Sequence, residues 1–280
     1  MKIKKIGGIL CLAIAVCLFF WQMSYLFIRR IYQMEYVYNH LFYIINSIIV
    51  IFLGLALWLI YRFSKKQTIT GISVIILLIF IQTIFVFYNQ SKVNTIRSLS
   101  PDSKNTLLIK ENIQTWETYY YRVYYQLFAR KMETLPYRTK GQFTVKWLAD
   151  DVAAVTYKAE DDSIHQYIGT YGYRGDPNYI NVGPSLSGKW ESDSANILVN
   201  PEGIYITVDG DSTHYDWDEI VQFGTLAIVL VKNNQANWTI SLDKDFNDHS
   251  YNFLTKSGHI TLYKADFNQQ KPIRLQYVPE

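Results

Sequence analysis

The sequence predicts an α+β membrane protein, with three N-terminal transmembrane helices followed by an all-β antiparallel extracytoplasmic region. Three observations lead to this fold class. Residues 1–90 contain three long apolar runs without a charged side chain. Short runs rich in Val, Ile, Tyr and Thr, separated by turn residues, fill most of the remaining chain. The charge changes as well, from eight basic and one acidic residue in 1–90 to 19 basic and 23 acidic residues in 91–280.

The three apolar runs are each long enough to cross a bilayer. Each has about 20 residues or more, which spans roughly 30 Å of hydrocarbon. None shows the polar face of a surface helix in a soluble protein. The first run also follows basic residues, as a signal peptide does, but Ala13-Ile14-Ala15 comes too early for cleavage, so we expect a retained helix. The predicted membrane domain, 1–90, has helices at 6–28, 41–61 and 69–88.

The basic residues around these helices predict the orientation. One side of the membrane would carry six of them and the other side four, if the two beyond the third helix are included. The positive-inside rule then places the N-terminus in the cytoplasm and everything after residue 90 outside. The six are Lys2, Lys4, Lys5, Arg62, Lys65 and Lys66, and the four are Arg29, Arg30, Lys92 and Arg97.

Three uncharged amides are predicted to share one depth in the membrane. Gln22, Asn46 and Gln82 each lie about 8–9 Å from the same membrane face at 1.5 Å per residue. We expect them to converge and to hydrogen-bond across helices, and a polar ligand site is the alternative. Apart from Cys11 and Cys17 the helices carry no ionisable side chain with membrane-relevant chemistry, such as a buried acid, base or histidine. This absence argues against a proton-coupled transporter or an ion pathway.

The chain after the helices is predicted to form two β modules. Residues 91–104 are polar and contain the turn Pro101-Asp102-Ser103, which predicts a linker. Residues 105–176 are predicted to form an antiparallel sheet, and residues 177–280 a second β module for which a small barrel is one alternative. The predicted strands are Thr106–Lys110, Thr118–Ala129, Phe143–Leu148, Val152–Lys158, Ser163–Ile168, Ile197–Val199, Gly203–Val208, Leu226–Lys232, Trp238–Leu242, His259–Lys264 and Ile273–Tyr277.

A tyrosine-rich stretch, WETYYYRVYYQLF, lies in the first module. Helical geometry would scatter its tyrosines around the axis, whereas a strand over Thr118–Ala129 sorts them onto two faces. Tyr119 and Tyr121 would then face the core. The opposite face is predicted to pack within the sheet or, alternatively, to bind a ligand or partner. That face carries Trp116, Tyr120 and Tyr124.

Two sequence motifs resemble known β structures. SPDSKNTLLIKEN (100–112) followed by VKWLADDVAAVTY (145–157) resembles one sheet unit of a β-propeller, with an SPDxK turn and a WxxDD turn. The unit occurs once, so a closed propeller is excluded. Helices followed by such a module resemble membrane proteins of Gram-positive bacteria. This resemblance implies a bacterial cytoplasmic membrane and no particular activity.

A second resemblance concerns the last hundred residues. SGKWES (187–192), followed by the run NILVNPEGIYITVDG, is similar to small lipocalin-like or pleckstrin-like barrels. Those barrels often open on a Gly-x-Trp motif. The resemblance implies a small closed sheet with Trp190 at one end.

Acidic turns are the candidate metal ligands. Two segments, 209–219 and 243–249, are rich in Asp and His, and calcium prefers six to eight oxygen ligands. Neither segment has the glycine of an EF-hand loop, so solvated turns are the alternative interpretation. The histidines lack zinc-site spacing, and no cofactor is predicted. The candidate ligands are Asp209, Asp211, Asp216, Asp243 and Asp245.

These features together favour a non-enzymatic function. The sequence contains no nucleophile elbow, no zinc motif and no glycine-rich phosphate loop. We therefore expect a protein that displays a β-rich domain outside the membrane for binding or sensing. The alternatives are an envelope-modifying hydrolase and an accessory subunit of a transporter. The expected partners are the lipid bilayer and another membrane or envelope protein, and the acidic exported region argues against nucleic acid.

Overall fold

The computed structural model describes residues 2–173, 181–247, 256–268 and 270–279. Three long apolar helices precede an all-β antiparallel region, which confirms the predicted fold class. The chain divides into two compact units. The membrane unit comprises residues 1–95, 108–115 and 119–134, and the barrel unit comprises residues 96–107, 116–118 and 135–280.

The membrane unit contains the helices α1 (Lys2–Tyr32), α2 (Leu41–Ile60) and α3 (Lys65–Gln90). All three are long and apolar enough to cross a membrane. Most of their large apolar side chains are exposed on the protein surface, which suits contact with lipid. The start of α3 is fixed by a capping box between Ser64 and Gln67, in which each side chain bonds the other's backbone N–H.

Small residues allow α1 and α2 to pack closely. Ala15 and Ala56 are each 1% exposed. A Cβ atom added at Gly8 would lie 2.6 Å from Ile60 Cγ1, which is closer than atoms pack. Close approach of backbones at small residues is the usual way in which membrane helices associate.

Five strands form a sheet with the order β1-β5-β4-β3-β2. The predicted linker at 91–104 instead contains one of them, β2. Alternate residues of β2 are exposed and half-buried, the pattern of a strand with one face covered, although most of its residues are polar. A strand in the α1–α2 connection, β1, was also not predicted. The five are β1 (Met34–Tyr36), β2 (Val93–Leu99), β3 (Thr106–Asn112), β4 (Thr118–Tyr124) and β5 (Phe128–Thr134).

The tyrosine-rich stretch forms a hairpin, so the prediction of one strand from Thr118 to Ala129 is wrong. Tyr125 and Gln126 adopt left-handed conformations, with φ of 53° and 54°, and reverse the chain between β4 and β5. The pairing of β4 with β5 also shifts register between Tyr120 and Tyr121. Such a bulge interrupts the alternation of faces, and both of these tyrosines are buried.

The barrel unit contains two further antiparallel sheets. A three-stranded sheet has the order β6-β7-β8, and a nine-stranded sheet has the order β12-β11-β10-β9-β17-β16-β15-β14-β13. A short helix, α4 (Val182–Ser185), precedes the larger sheet. The strands are β6 (Thr139–Ala149), β7 (Val152–Ala159), β8 (Ile164–Thr170), β9 (Gly188–Glu191), β10 (Ala195–Asn200), β11 (Gly203–Val208), β12 (Asp211–Tyr215), β13 (Ile220–Phe223), β14 (Ala227–Lys232), β15 (Gln235–Leu242), β16 (His259–Lys264) and β17 (Ile273–Val278).

The nine-stranded sheet curves into a nearly closed barrel. Lys232 on β14 donates to the carbonyl of His214 on β12 over 3.2 Å, so the two ends of the sheet approach each other. Asn237 on β15 likewise donates to the hydroxyl of Tyr215 over 3.1 Å. Apolar side chains from most of the strands fill the interior, and many of them are completely buried. The barrel is therefore a packed core.

Trp190 is the largest fully buried side chain of the barrel unit. Its indole Nε1 donates to the Leu186 carbonyl, next to α4, over 2.8 Å. Its ring stacks on Phe246 and contacts the edge of Tyr277, with centroid separations of 5.9 Å and 5.2 Å. Trp190 thus joins the segment before β9 to the barrel core.

A buried histidine predicts acid sensitivity in the three-stranded sheet. His165 is 5% exposed, and its Nε2 lies 2.7 Å from Ser163 Oγ. Burial lowers the pKa of His165, although the nearby Asp161 carboxylate acts in the opposite direction. The unfolded chain therefore takes up the proton at a higher pH than the folded chain does. His165 therefore lowers the free energy of unfolding as the pH falls from its pKa in the unfolded chain, about 6.5, toward its lower pKa in the folded chain.

We expect His165→Gln to make the barrel unit less sensitive to acid. The test compares the melting temperature at about pH 7.5 and about pH 5.5, where only histidine among the ordinary side chains changes charge. Between these two pH values the melting temperature of the wild type should fall further than that of the variant. His214→Gln, at a half-exposed position, is the control and should behave like the wild type. An equal fall in melting temperature in the wild type and both variants would show that His165 is not the source of the acid sensitivity.

Candidate functional site

The membrane unit contains a cavity of about 320 Å³ at the ends of its helices. The last turns of α1 and α3 and the first turn of α2 meet β1 and the end of β3 at this place. Aromatic rings, amides and charged groups share its wall. The lining residues are Tyr25, Arg29, Glu35, Tyr36, Asn39, Phe42, Tyr43, Asn89, Lys92, Val93, Asn112 and Gln114.

A buried ion pair holds Glu35, one of the residues that line this cavity. The side chain of Lys110, on β3, is 4% exposed and pairs with Glu35 on β1, which is 24% exposed. Lys110 also donates to Asn39 Oδ1 over 2.8 Å. Burial lowers the pKa of Lys110, and the neighbouring Glu35 carboxylate opposes this shift. The lysine therefore attaches the α1–α2 connection to the sheet.

Tyr36 holds the same connection against α1. Its ring stacks on that of Tyr25 with centroids 4.0 Å apart, and its hydroxyl accepts a hydrogen bond from Trp21 Nε1 over 2.9 Å. Only 1% of Tyr36 is exposed. Rigid packing of this kind keeps the wall of a binding site in place before a ligand arrives.

The cavity wall carries an excess of positive charge. Arg29 lies in the last turn of α1, and Lys92 follows α3, with its Nζ 4.0 Å from the centre of the Tyr88 ring. The only carboxylate in the lining, Glu35, is already paired with Lys110. Within the described ranges, neither Arg29 nor Lys92 forms an ion pair. The two remaining cations favour an anionic ligand.

A groove of about 520 Å³ between α2 and α3 lies next to the cavity. Its wall is mainly apolar and includes Ile44, Ile48 and Val86. Tyr43 lines both the cavity and the groove, and its hydroxyl accepts a hydrogen bond from Asn89. The cavity and the groove are therefore adjacent parts of one surface of the membrane unit.

Two of the three intramembrane amides form hydrogen bonds to different residues of α2. Gln22 is 4% exposed and donates to the Phe42 carbonyl over 3.0 Å. Gln82 accepts from Ser47 Oγ over 2.6 Å, on the wall of the groove. Asn46 is half-buried on α2. Gln22 and Gln82 thus join α1 and α3 to α2 through separate partners.

The aromatic face predicted for the tyrosine-rich stretch is not one exposed surface. Tyr120 is 5% exposed, because the register shift beside it turns its side chain inward. Trp116 precedes β4 in a left-handed conformation, with φ of 58°, and Tyr124 is exposed at the end of β4. A continuous stacking surface would need all three rings on one open face.

Arg274 and His259 contact the two candidate ligands of the second acidic segment, Asp243 and Asp245. Arg274 donates to Asp243 over 2.7 Å and to Asp245 over 3.0 Å. His259 Nδ1 lies 2.7 Å from Asp245 Oδ2. Burial raises the pKa of Asp245, but His259 and Arg274 lower it by more, so the net shift is downward. Asp248 and His249, from the same segment, lie outside the described residues.

The other predicted metal ligands lie apart in turns. Asp209 and Asp211 are exposed at the hairpin between β11 and β12. Asp216 caps the 3-10 turn Trp217–Glu219. In the part of the chain that the structure describes, no group of three His, Cys, Asp or Glu side chains is placed to hold a metal ion.

Comparisons with known proteins yield no relative. No protein-family model matches the sequence, and neither curated proteins nor solved structures match it significantly. The resemblances to propeller blades, small barrels and Gram-positive membrane proteins therefore stay predictions.

Proposed function

We propose that the protein is a non-enzymatic membrane protein that binds a ligand at the cavity of its membrane unit and displays its β-rich region outside the bacterial cytoplasmic membrane. The observation that carries this proposal is the cavity itself. Aromatic rings and amides line it, and the buried Lys110–Glu35 pair holds one of its lining residues in place. Pockets that combine apolar walls with a few fixed polar groups are typical ligand sites.

The charged groups of the cavity favour binding over proton transfer. Arg29 and Lys92 line its wall, and arginine and lysine side chains are hydrogen-bond donors without an acceptor when charged. The third charged group, Glu35, is engaged by Lys110. A general base needs a free acceptor within reach of its substrate. This set of groups is suited to hold an anion in place.

Charge asymmetry supports the proposed orientation. Arg62, Lys65 and Lys66 cluster around the short α2–α3 connection, and Lys4 and Lys5 lie near the start of α1. These positions fall on the membrane side opposite to the cavity. Under the positive-inside rule they would face the cytoplasm. A signal from the cavity would then reach the cytoplasm through the helices or through a partner membrane protein.

Cysteine labelling tests this orientation. The chain has two cysteines, Cys11 and Cys17, both in α1, so their replacement by alanine provides a cysteine-free background. Single cysteines are then introduced at two exposed positions, Asp193→Cys in the β9–β10 turn and Lys66→Cys at the start of α3. In intact cells a membrane-impermeant maleimide should label Asp193→Cys and should label Lys66→Cys only after lysis. The opposite pattern would refute the orientation.

A second candidate function, an extracytoplasmic hydrolase, is favoured by one contact. The Asp245–His259 pair has the arrangement in which a carboxylate orients a histidine base. Arg274 shares the Asp245 carboxylate, which favours a structural role instead. The test is the release of soluble fragments from isolated cell envelopes by the purified protein. Release that His259→Gln abolishes would support the hydrolase, and absence of release would count against it.

A further inference from the structure

We propose that the cavity and the groove together bind one anionic phospholipid, with its phosphate in the cavity lined by Arg29 and Lys92 and one acyl chain along the groove between α2 and α3. This inference rests on the proposed ligand-binding function and names the class of ligand. It follows from the charges of the cavity, the apolar wall of the groove and the residue that they share.

The charges of the cavity match a phosphodiester. Arginine and lysine are the side chains that bind phosphate groups in proteins. Arg29 and Lys92 lie at the ends of two different helices and line one cavity, while the Glu35 carboxylate is held by Lys110. The amides of Asn39 and Asn112 belong to the same wall and offer donors to headgroup oxygens. Basic pockets between the ends of membrane helices are suited to anionic headgroups.

The groove matches an acyl chain. Its wall is mostly apolar, and it runs along two helices that are apolar enough to span a membrane. Most of its polar side chains bond neighbours and so expose little unsatisfied polarity to a hydrocarbon chain. Ser47 bonds Gln82, and Thr83 bonds the Ile79 carbonyl. The remaining ones, His40, Tyr43 and Gln90, lie near the cavity at the end of the groove. Ser47 lies six residues beyond the start of α2, which is about 9 Å along the helix axis. The groove therefore extends from the membrane surface into the depth where acyl chains lie.

The residue that the cavity and the groove share favours a lipid over a soluble anion as the ligand. Tyr43 lines both, so a molecule with a phosphate in the cavity can continue directly into the groove. A soluble anion would fill the cavity alone and leave the apolar groove to the surrounding lipid. A tyrosine at this position also suits the boundary between headgroups and hydrocarbon.

The test measures lipid binding to the full-length protein. The purified protein is reconstituted in phosphatidylcholine nanodiscs, and binding of fluorescent phosphatidylglycerol is followed by energy transfer from the protein's tryptophans. We expect saturable binding of phosphatidylglycerol and none of a labelled phosphatidylcholine. Because each basic residue near a membrane contributes about fivefold to anionic-lipid affinity, the double variant Arg29→Gln/Lys92→Gln should bind roughly thirtyfold more weakly.

The matched control is Arg30→Gln/Lys66→Gln. It removes the same charge from exposed positions that do not line the cavity, and it should retain wild-type affinity. A second variant, Val86→Phe, fills part of the groove, leaves both cations in place and adds no tryptophan to the energy-transfer signal. It should weaken binding of the lipid without weakening binding of glycerophosphoglycerol, the soluble headgroup. Circular dichroism and gel filtration identify any variant that fails to fold. If either the cavity variant or the groove variant fails, the lipid affinity of the remaining one tests the site.

The outcomes separate this inference from the proposed function. Equal binding of phosphatidylglycerol by the wild type and both cavity and groove variants would overturn the lipid site. Binding of glycerophosphoglycerol with the affinity of the whole lipid would also overturn it, but would leave the cavity as a ligand site. Failure of both the lipid and the soluble headgroup to bind would remove the anion site on which the proposed function depends.

Discussion

Replacing Lys110 by methionine is expected to lower the free energy of unfolding of the membrane unit by about 3 kcal/mol, the lower end of the range for breaking a buried ion pair. Methionine keeps much of the apolar stem, so the change mainly removes the ammonium group. Glu35 then loses its cation, and Asn39 and the Tyr36 carbonyl lose a donor. The lower value applies because Glu35 is 24% exposed and water can solvate it in part.

Thermal unfolding in detergent micelles measures this effect, and a double-mutant cycle identifies its cause. Lys110→Met/Glu35→Gln removes both charges and should recover much of the lost stability, because a neutral pair needs no compensating partner. Lys131→Met is the matched control, since Lys131 lies half-buried over the Tyr119 ring in the same sheet. If Lys131→Met lowers the free energy of unfolding as much as Lys110→Met does, the ion pair is not the cause of the destabilisation.

Replacing Trp190 by alanine is expected to destabilise the barrel unit by about 4 kcal/mol, within the range for removal of a large aromatic side chain from a core. The side chain is completely buried, so its loss opens a cavity against Phe246 and Tyr277. The Leu186 carbonyl also loses its donor. Near-UV circular dichroism during urea unfolding provides the measurement.

Trp190→Phe separates packing from hydrogen bonding. It retains most of the ring volume and removes the indole N–H, so a loss of about 1–2 kcal/mol is expected from an unsatisfied buried carbonyl and a smaller cavity. Trp217→Phe is the control, because Trp217 is 36% exposed and donates to the Pro201 carbonyl at the surface. Its cost should be well below that of Trp190→Phe. An equal cost would mean that burial of Trp190 adds nothing.

Local pattern was sufficient to predict the helices and most barrel strands. The length of an apolar run determines whether it can cross a bilayer, and each predicted helix lies within or at the bounds of an observed one, apart from Tyr61. Alternating β-branched residues between turn signals predicted β11 and β16 with their observed bounds, Gly203–Val208 and His259–Lys264. In these elements the residues that determine the structure are adjacent in sequence.

Two of the strands that were not predicted separately, β1 and β5, lack a local signal. Three residues of β1 are too few to show an alternation, and their partners lie on β5. The turn at Tyr125 and Gln126 contains none of the Gly, Asn, Asp or Pro residues that mark most hairpins. Nothing local therefore separates β4 from β5, and only the pairing between them does so.

The cavity could not be predicted from the sequence for a related reason. Lys110 and Glu35 are 75 positions apart, so no motif could join them. In the sequence, Arg29 and Lys92 are recognisable only as charges that oppose the predicted orientation. One local signal was present, since Glu35 is the only acidic residue in the first ninety. An isolated carboxylate between two membrane helices calls for a cation nearby.

The position of β1 has a consequence for biosynthesis. Met34–Tyr36 leaves the ribosome directly after α1, whereas its pairing segment Phe128–Arg130 is translated only after α2, α3 and three further strands. The nascent polypeptide therefore carries an open strand edge beside the bilayer while synthesis proceeds. An unpaired edge is prone to pair with the wrong chain. Premature arrest of translation before residue 128 should leave a fragment that aggregates or is degraded, even though all of its hydrophobic helices are already inserted.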